Sequence, residues 1–224
     1  MDKSLISADA LWKNSDKSLA FPFICKFDNA WDILSHLGDI INEIASGLNS
    51  DEYECVDGNV WIAKNVSISR TATIIGPCII GKDTEIRPGA YIRGNVIVGE
   101  GAVIGNSTEL KNCILFDSVQ VPHFNYVGDS ILGYKSHLGA GAVTSNVKSD
   151  KTPVSIKILG DSIETGRKKL GSLIGDYVEV GCNSVLNPGT VIGTHSNVYP
   201  LSSVRGYIPE NSIFKSAGVI VKKN

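Results

Sequence analysis

The chain has 224 residues, enough for one sizeable domain with a small appendage, and its formal net charge of −2 gives no global attraction to nucleic acid or anionic membrane. Only 7 % of residues are aromatic, which suits a narrow aliphatic interior, and no long apolar stretch opens the chain as a leader or a membrane span. The five cysteines (Cys25, Cys55, Cys78, Cys113 and Cys182) are odd in number and lack metal-ligand spacing, so a reduced, cytoplasmic setting is expected.

Residues 1–57 form a first unit, a helical cap. Asp28 and Asn29 are candidate N-caps for a helix running to about Leu48. Ile33, Leu34, Leu37, Ile40, Ile41, Ile44 and Leu48 recur at helical steps, with Asp32, Asp39 and Glu43 between them. Such an amphipathic helix must lay its stripe on something, either an end or a side of the longer C-terminal unit. Trp12, Phe21, Phe23 and Trp31 are candidate core residues of this cap.

From Ile62 the pattern changes. An aliphatic residue returns at every sixth position: Ile68, Ile74, Ile80, Ile86, Ile92, Val98, Ile104 and Leu110. A helix of 3.6 residues per turn cannot keep that period on one face. A solenoid of short strands can, with one hexad per side and three per coil. The second unit, 58–224, is therefore expected to be an all-β parallel β-helix. Ile104 and Leu132 lie 28 residues apart, so the register slips by four between them, within about 110–131. From Leu132 it holds through Leu138 and Thr144 and returns at Ile174, Val180, Leu186, Ile192, Val198 and Val204. The stretch of about 145–169 between them alternates Val154, Ile156 and Ile158 with polar residues, turns at Gly160, and reads as a projecting hairpin. Its Lys151, Lys157, Arg167 and Lys168 are either a solvated face or charge for a phosphate. An apolar strand within 212–221 is expected to close the far end.

Of the four histidines, His36 falls in the cap helix and His195 in an ordinary hexad corner, where it should be exposed. His123 lies within the stretch that contains the register slip, and irregularities in a repeat are where function gathers. Spacing alone leaves it open between a satisfied polar residue and a catalyst.

The hexads resemble those of the left-handed β-helix of hexapeptide acyltransferases, and the handedness is implied by that resemblance. His123-Phe124-Asn125-Tyr126-Val127-Gly128-Asp129 resembles the His-x-x-Tyr-x-Gly-Asp segment in the acetyltransferase domain of bifunctional glucosamine-1-phosphate acetyltransferase/uridyltransferases. Arg87-Pro88-Gly89, Glu109-Leu110-Lys111, Gly139-Ala140-Gly141 and Thr144-Ser145-Asn146 match further segments in order. The hairpin and 165–171 are similar to the archaeal sugar-1-phosphate nucleotidylyltransferase/acetyltransferases.

The resemblance implies acetyl transfer from acetyl-CoA to the amine of a glucosamine-1-phosphate-like sugar, without a metal. His123 would be the general base. Arg87 and Lys111 would bind phosphate, and Tyr126, Asn146 and Lys151 the sugar. Ala140, Cys182 and Arg205 would meet CoA. A homotrimer without nucleic-acid or membrane partners is implied too. Two positions depart from the family pattern, His137 for an asparagine and Cys182 for a serine. No nucleotidylyltransferase domain or glycine-rich nucleotide loop is read in the chain, so it is expected to act without one. The alternative is a non-catalytic module that binds a sugar phosphate or nucleotide sugar. A zinc enzyme on this fold would need three converging histidines, and His123, His137 and His195 lack that spacing.

Overall fold

The computed structural model describes residues 3–215 and 218–223. From Val60 the chain winds as the left-handed parallel β-helix, its strands falling into three sheets of nine, nine and seven. One coil contributes one strand to each sheet, stacked on the coil before at about 4.8 Å. The hexad residues Ile80, Ile86, Ile92, Val98 and Ile104 all point inward and are fully buried. The first sheet contains Cys78–Ile80 and Val96–Val98, the second Gln120–His123 and His137–Leu138, and the third Glu109–Lys111 and Tyr126–Gly128.

Register explains the slip. Val60, Cys78 and Val96 are in-register neighbours 18 residues apart, whereas Val96 pairs with Cys113 and Ile114 with Ile131, each 17 apart. One residue is missing from each of two successive coils, both times at the corner between the third and first sheets, at Asn112 and at Asp129. The slip of four is equivalent, in a six-residue period, to a loss of two, and it is two single-residue shortenings stacked on one edge. His123 is not in either of them. It occupies a corner of normal length between the second and third sheets, which corrects the expectation that the histidine sits in the distorted part of the coil.

The first sheet differs from the other two in being covered on both sides. Cys78–Ile80, Val96–Val98 and Cys113–Leu115 are buried at every residue, including the outward Ile79, Ile97 and Ile114. The N-terminal segment lies along that side. Trp12 Nε1 donates to the Ile174 carbonyl at 2.9 Å, its ring packs 5.7 Å from Phe116, and the Asp117 amide donates to the Lys17 carbonyl at 2.9 Å. The cap helix is not continuous. A 3-10 helix at Ala30–Ser35 precedes the α-helix Leu37–Ser46, and the two meet at His36. Asn29 precedes the 3-10 helix but makes no capping bond; its amide donates to Asp32 and its carbonyl accepts from Lys3. His36 leaves the helical line to stack on Phe27 at 5.5 Å.

Each end of the solenoid is finished by an antiparallel strand, Tyr53–Asp57 on the first sheet and Ile220–Lys222 on the second. An unpaired parallel edge is thereby covered. The insertion forms the expected hairpin, Ser155–Ile158 against Asp161–Glu164. It leaves the wall at the shortened corner and buries Val154, Ile156, Ile158 and Ile163. Gly189 is glycine because the hairpin lies on it: a Cβ there would stand 2.7 Å from the Ser155 carbonyl oxygen, at a φ of +76°.

Candidate active site

The motif around His123 acquires a physical reason at each residue. Asn125, buried, donates from its amide to the carbonyls of Gly139 and Ala142 at 2.9 and 3.0 Å, and its Oδ1 accepts the His123 amide at 3.1 Å. The corner that carries His123 is thus tied to the next coil, while the imidazole itself is exposed. Tyr126 points outward from the third face and lies back across Gly128. A Cβ at Gly128 would collide with the Tyr126 phenol, so only glycine lets the ring reach Asn146, whose Nδ2 donates to Tyr126 Oη at 3.2 Å. Burial and the neighbouring Asp129 carboxylate push the Tyr126 phenol up, which keeps it a neutral hydroxyl.

Asp129 holds the far edge together. The two shortened corners stack Asn112, Asp129 and Asn146 one above another. Asp129, 3 % exposed, accepts from Asn112 Nδ2 at 2.8 Å and from Asn146 Nδ2 at 2.5 Å. The Lys111 ammonium stands 3.5 Å from the same carboxylate. A buried carboxylate needs such partners to remain in place. One strand below, Arg93 pairs with Glu109 at 2.6 Å beneath Tyr126.

The expected residues therefore border the third face from two sides. Along the corner joining the second and third faces, the carbonyls of His123, Ala140 and Cys182 accept the amides of Gly141, Asn183 and Leu201 in turn, so the three residues form one column. Lys111, Asn146 and Arg205 lie on the opposite edge, with Tyr126 between. Arg205 is exposed and donates to Asn187 Oδ1 at 3.3 Å.

Two residues stand apart. Arg87 is paired with Glu85 at 3.0 Å, and its amide bonds to Ile104, which puts it two coils from His123. Lys151 is exposed in the turn after the third face. Arg167 is also diverted, since it donates to Ser35 Oγ and to the Lys169 carbonyl against the N-terminal segment. Burial lowers its pKa.

Among the described residues no group of three or more His, Cys, Asp or Glu could hold a metal ion. No helix of the described residues is long and apolar enough to cross a membrane.

Residues 74–191, just over half of the chain, match the model of the GMPPB C-terminal domain family. The chain belongs to this family. Relatives of this GMPPB C-terminal domain chain include the bifunctional protein GlmU of Methanococcus maripaludis strain C5, 34% identical over 200 residues, with 86% of this chain and 47% of that protein covered. The bifunctional sugar-1-phosphate nucleotidylyltransferase/acetyltransferase of Sulfurisphaera tokodaii is 34% identical over 188 residues, covering 73% and 47%. YaiX of Escherichia coli K12, named as an uncharacterized acetyltransferase, is 33% identical over 169 residues, covering 67% and 72%. The chain thus spans about half the length of the first two.

Sequence reasoning missed Asp129 as a functional group, although it was part of the motif. The signal was its spacing of 17 from both Asn112 and Asn146, legible only once the slip is resolved into two steps. It also missed Glu179, which faces His137 on the second face at 2.7 Å from Nδ1.

The thiols give a direct check on this family fold. Burial pushes Cys78 up to about 12, and Cys113, fully buried, moves in the same direction. Cys25, Cys55 and Cys182 are exposed. Titration of the native protein with a colorimetric thiol reagent should give three reactive cysteines, with the other two appearing only in denaturant. Five fast thiols would contradict the packing.

Proposed function

We propose that this chain is an acetyl-CoA-dependent N-acetyltransferase acting on an amino-sugar phosphate, glucosamine 1-phosphate or a close analogue, with His123 as general base. The observation that carries the reading is the arrangement around one face. An exposed imidazole stands on one edge, and Lys111 and Asn146, held by the buried Asp129, stand on the other. The sugar would lie between them. Lys111 would meet the phosphate, and Tyr126 and Asn146 the hydroxyls. The free amine attacks the thioester carbonyl, a C–N bond forms, and His123 removes the proton that the nitrogen must lose. Collapse of the tetrahedral intermediate breaks the C–S bond and releases CoA.

Release of free CoA thiol from acetyl-CoA in the presence of glucosamine 1-phosphate tests this. Lys111→Ala should raise KM for the sugar phosphate about tenfold or more with a smaller change in kcat, because it removes binding present before the reaction as well as during it. Binding of the sugar phosphate without any thiol release would favour a non-catalytic binding module instead.

Assembly as a homotrimer belongs to the same proposal. Arg87 and Lys111 stand one coil apart on opposite edges of the third face, and Arg87 is turned to Glu85, so they do not converge on one phosphate in a single protomer and the site calls for a second copy. Phe124 and Leu201 support this. Both are 60 % or more exposed, and both take a positive φ that is unfavourable for bulky side chains, on the corner beside His123. Light scattering at micromolar concentration should give three times the 23.9 kDa chain mass. A monomeric mass would remove the shared site.

A further inference from the structure

One pair on the second face has no part in the base chemistry assigned to His123. His137 and Glu179 are in-register neighbours on adjacent strands, with Leu138 and Val180 beside them turned into the core, so both side chains face outward. Glu179 Oε2 lies 2.7 Å from His137 Nδ1. Nδ1 is thereby engaged, and among the described residues Nε2 has no partner. The carboxylate fixes which nitrogen meets a ligand.

The pair lines a hollow of about 440 Å³ that also contains Gly139, Gly181, Cys182 and Tyr199. No lysine or arginine lines it, and His137 is its only imidazole. Cys182 ties the hollow to the column that carries His123 and Ala140, and Ala140 and Cys182 are two of the three residues expected to meet CoA. Gln120, three residues before His123, is the in-register neighbour of His137 on the next coil. The backbones of the two histidines are therefore about 10 Å apart along the strand direction and one coil apart, about 4.8 Å. Side chains turned towards each other across that backbone gap can reach the nitrogen and the sulfur of one tetrahedral intermediate. His123 stands at the corner towards the third face, and His137 stands on the donor side.

We propose that His137, oriented by Glu179, is the general acid that protonates the departing sulfur of CoA. The proposal rests on the acetyl-transfer reading above. As the tetrahedral intermediate collapses, the C–S bond breaks and its electron pair stays on sulfur. The sulfur takes the proton from Nε2 of the imidazolium and leaves as free CoA thiol. The proton lost by the amine goes separately to His123, and water restores both imidazoles. His137 is the catalytic residue in this step, and Glu179 is a positioning residue that acts through it.

The leaving group gives the test. Turnover with glucosamine 1-phosphate is compared for acetyl-CoA and for S-acetyl thionitrobenzoate, whose thiolate is a far weaker base and leaves without an acid. His137→Asn should slow acetyl-CoA turnover about 10²-fold or more, in the range of a positioned acid, and change the aryl thioester rate less than about threefold. Glu179→Gln should show a smaller loss with the same donor selectivity, and keeps the test usable if the first variant fails to fold. An equal loss with both donors, in either variant, would mean a binding or structural role and overturn the acid. No loss with acetyl-CoA would reduce the pair to a surface ion pair and overturn it too. A wild-type protein that turns over neither donor overturns the acetyl-transfer reading itself and takes the acid with it.

Discussion

His123→Ala should lower kcat by about 10²–10⁴ while leaving the protein folded. The imidazole is exposed, and the corner is held by the backbone of residue 123 and by the Asn125 side chain, neither of which the substitution removes. The His123 carbonyl still accepts the Gly141 amide, so the ladder to the next coil survives. The loss should therefore appear in turnover, with the melting temperature within a degree or two of wild type. The rising limb of the kcat/KM–pH profile should disappear with the side chain, because a base that must be unprotonated no longer sets it. Dissociation constants for CoA and for glucosamine 1-phosphate should change little, since neither is held by the proton acceptor alone. Near-full turnover in the variant would rule out His123 as the base.

The hexad run made the solenoid legible because its period is short, repeats many times and is incompatible with a helix. What hid was any feature whose partner lies a whole coil away. The covered first face is an example. Outward positions at Ile79, Ile97, Ile114, Ile131 and Leu173 are apolar in every coil, whereas the matching positions on the second face are Glu85, Val103, Gln120, His137 and Glu179. That contrast says which side the N-terminal segment covers, but only after the residues are assigned to sides. The His137–Glu179 pair was hidden by the hairpin, which places two adjacent strands 42 residues apart in sequence. The motif residues were legible as a set. Why they occur together was not, because the reason lies in the Tyr126 ring crossing Gly128 and in the carboxylate shared across two shortened corners.

Asp129→Ala should be the most destabilising single change in the site, lowering stability by about 3 kcal/mol. A hydrogen bond to a charged group contributes about 1.5–3 kcal/mol, and this carboxylate accepts two from buried or half-buried amides besides facing Lys111. Removing it leaves the Asn112 amide buried without its acceptor and the Lys111 ammonium without its counter-charge. For a chain of this size such a loss corresponds to a fall in Tm of about 6–12 °C, measurable by calorimetry. Asp129→Asn separates folding from function. It fills the same volume, so most of the stability should remain. Its amide, however, can accept from one of the two flanking asparagines while presenting N–H groups to the other, and it leaves Lys111 unpaired. Asn146 and Lys111 then lose their fixed positions on the edge of the third face. KM for glucosamine 1-phosphate should rise about tenfold, the worth of one charged hydrogen bond, while the CoA dissociation constant stays near wild type. If Asp129→Asn melts like wild type and keeps its KM, the Asn112–Asp129–Asn146 ladder holds the corner alone and has no part in presenting Lys111 to a substrate.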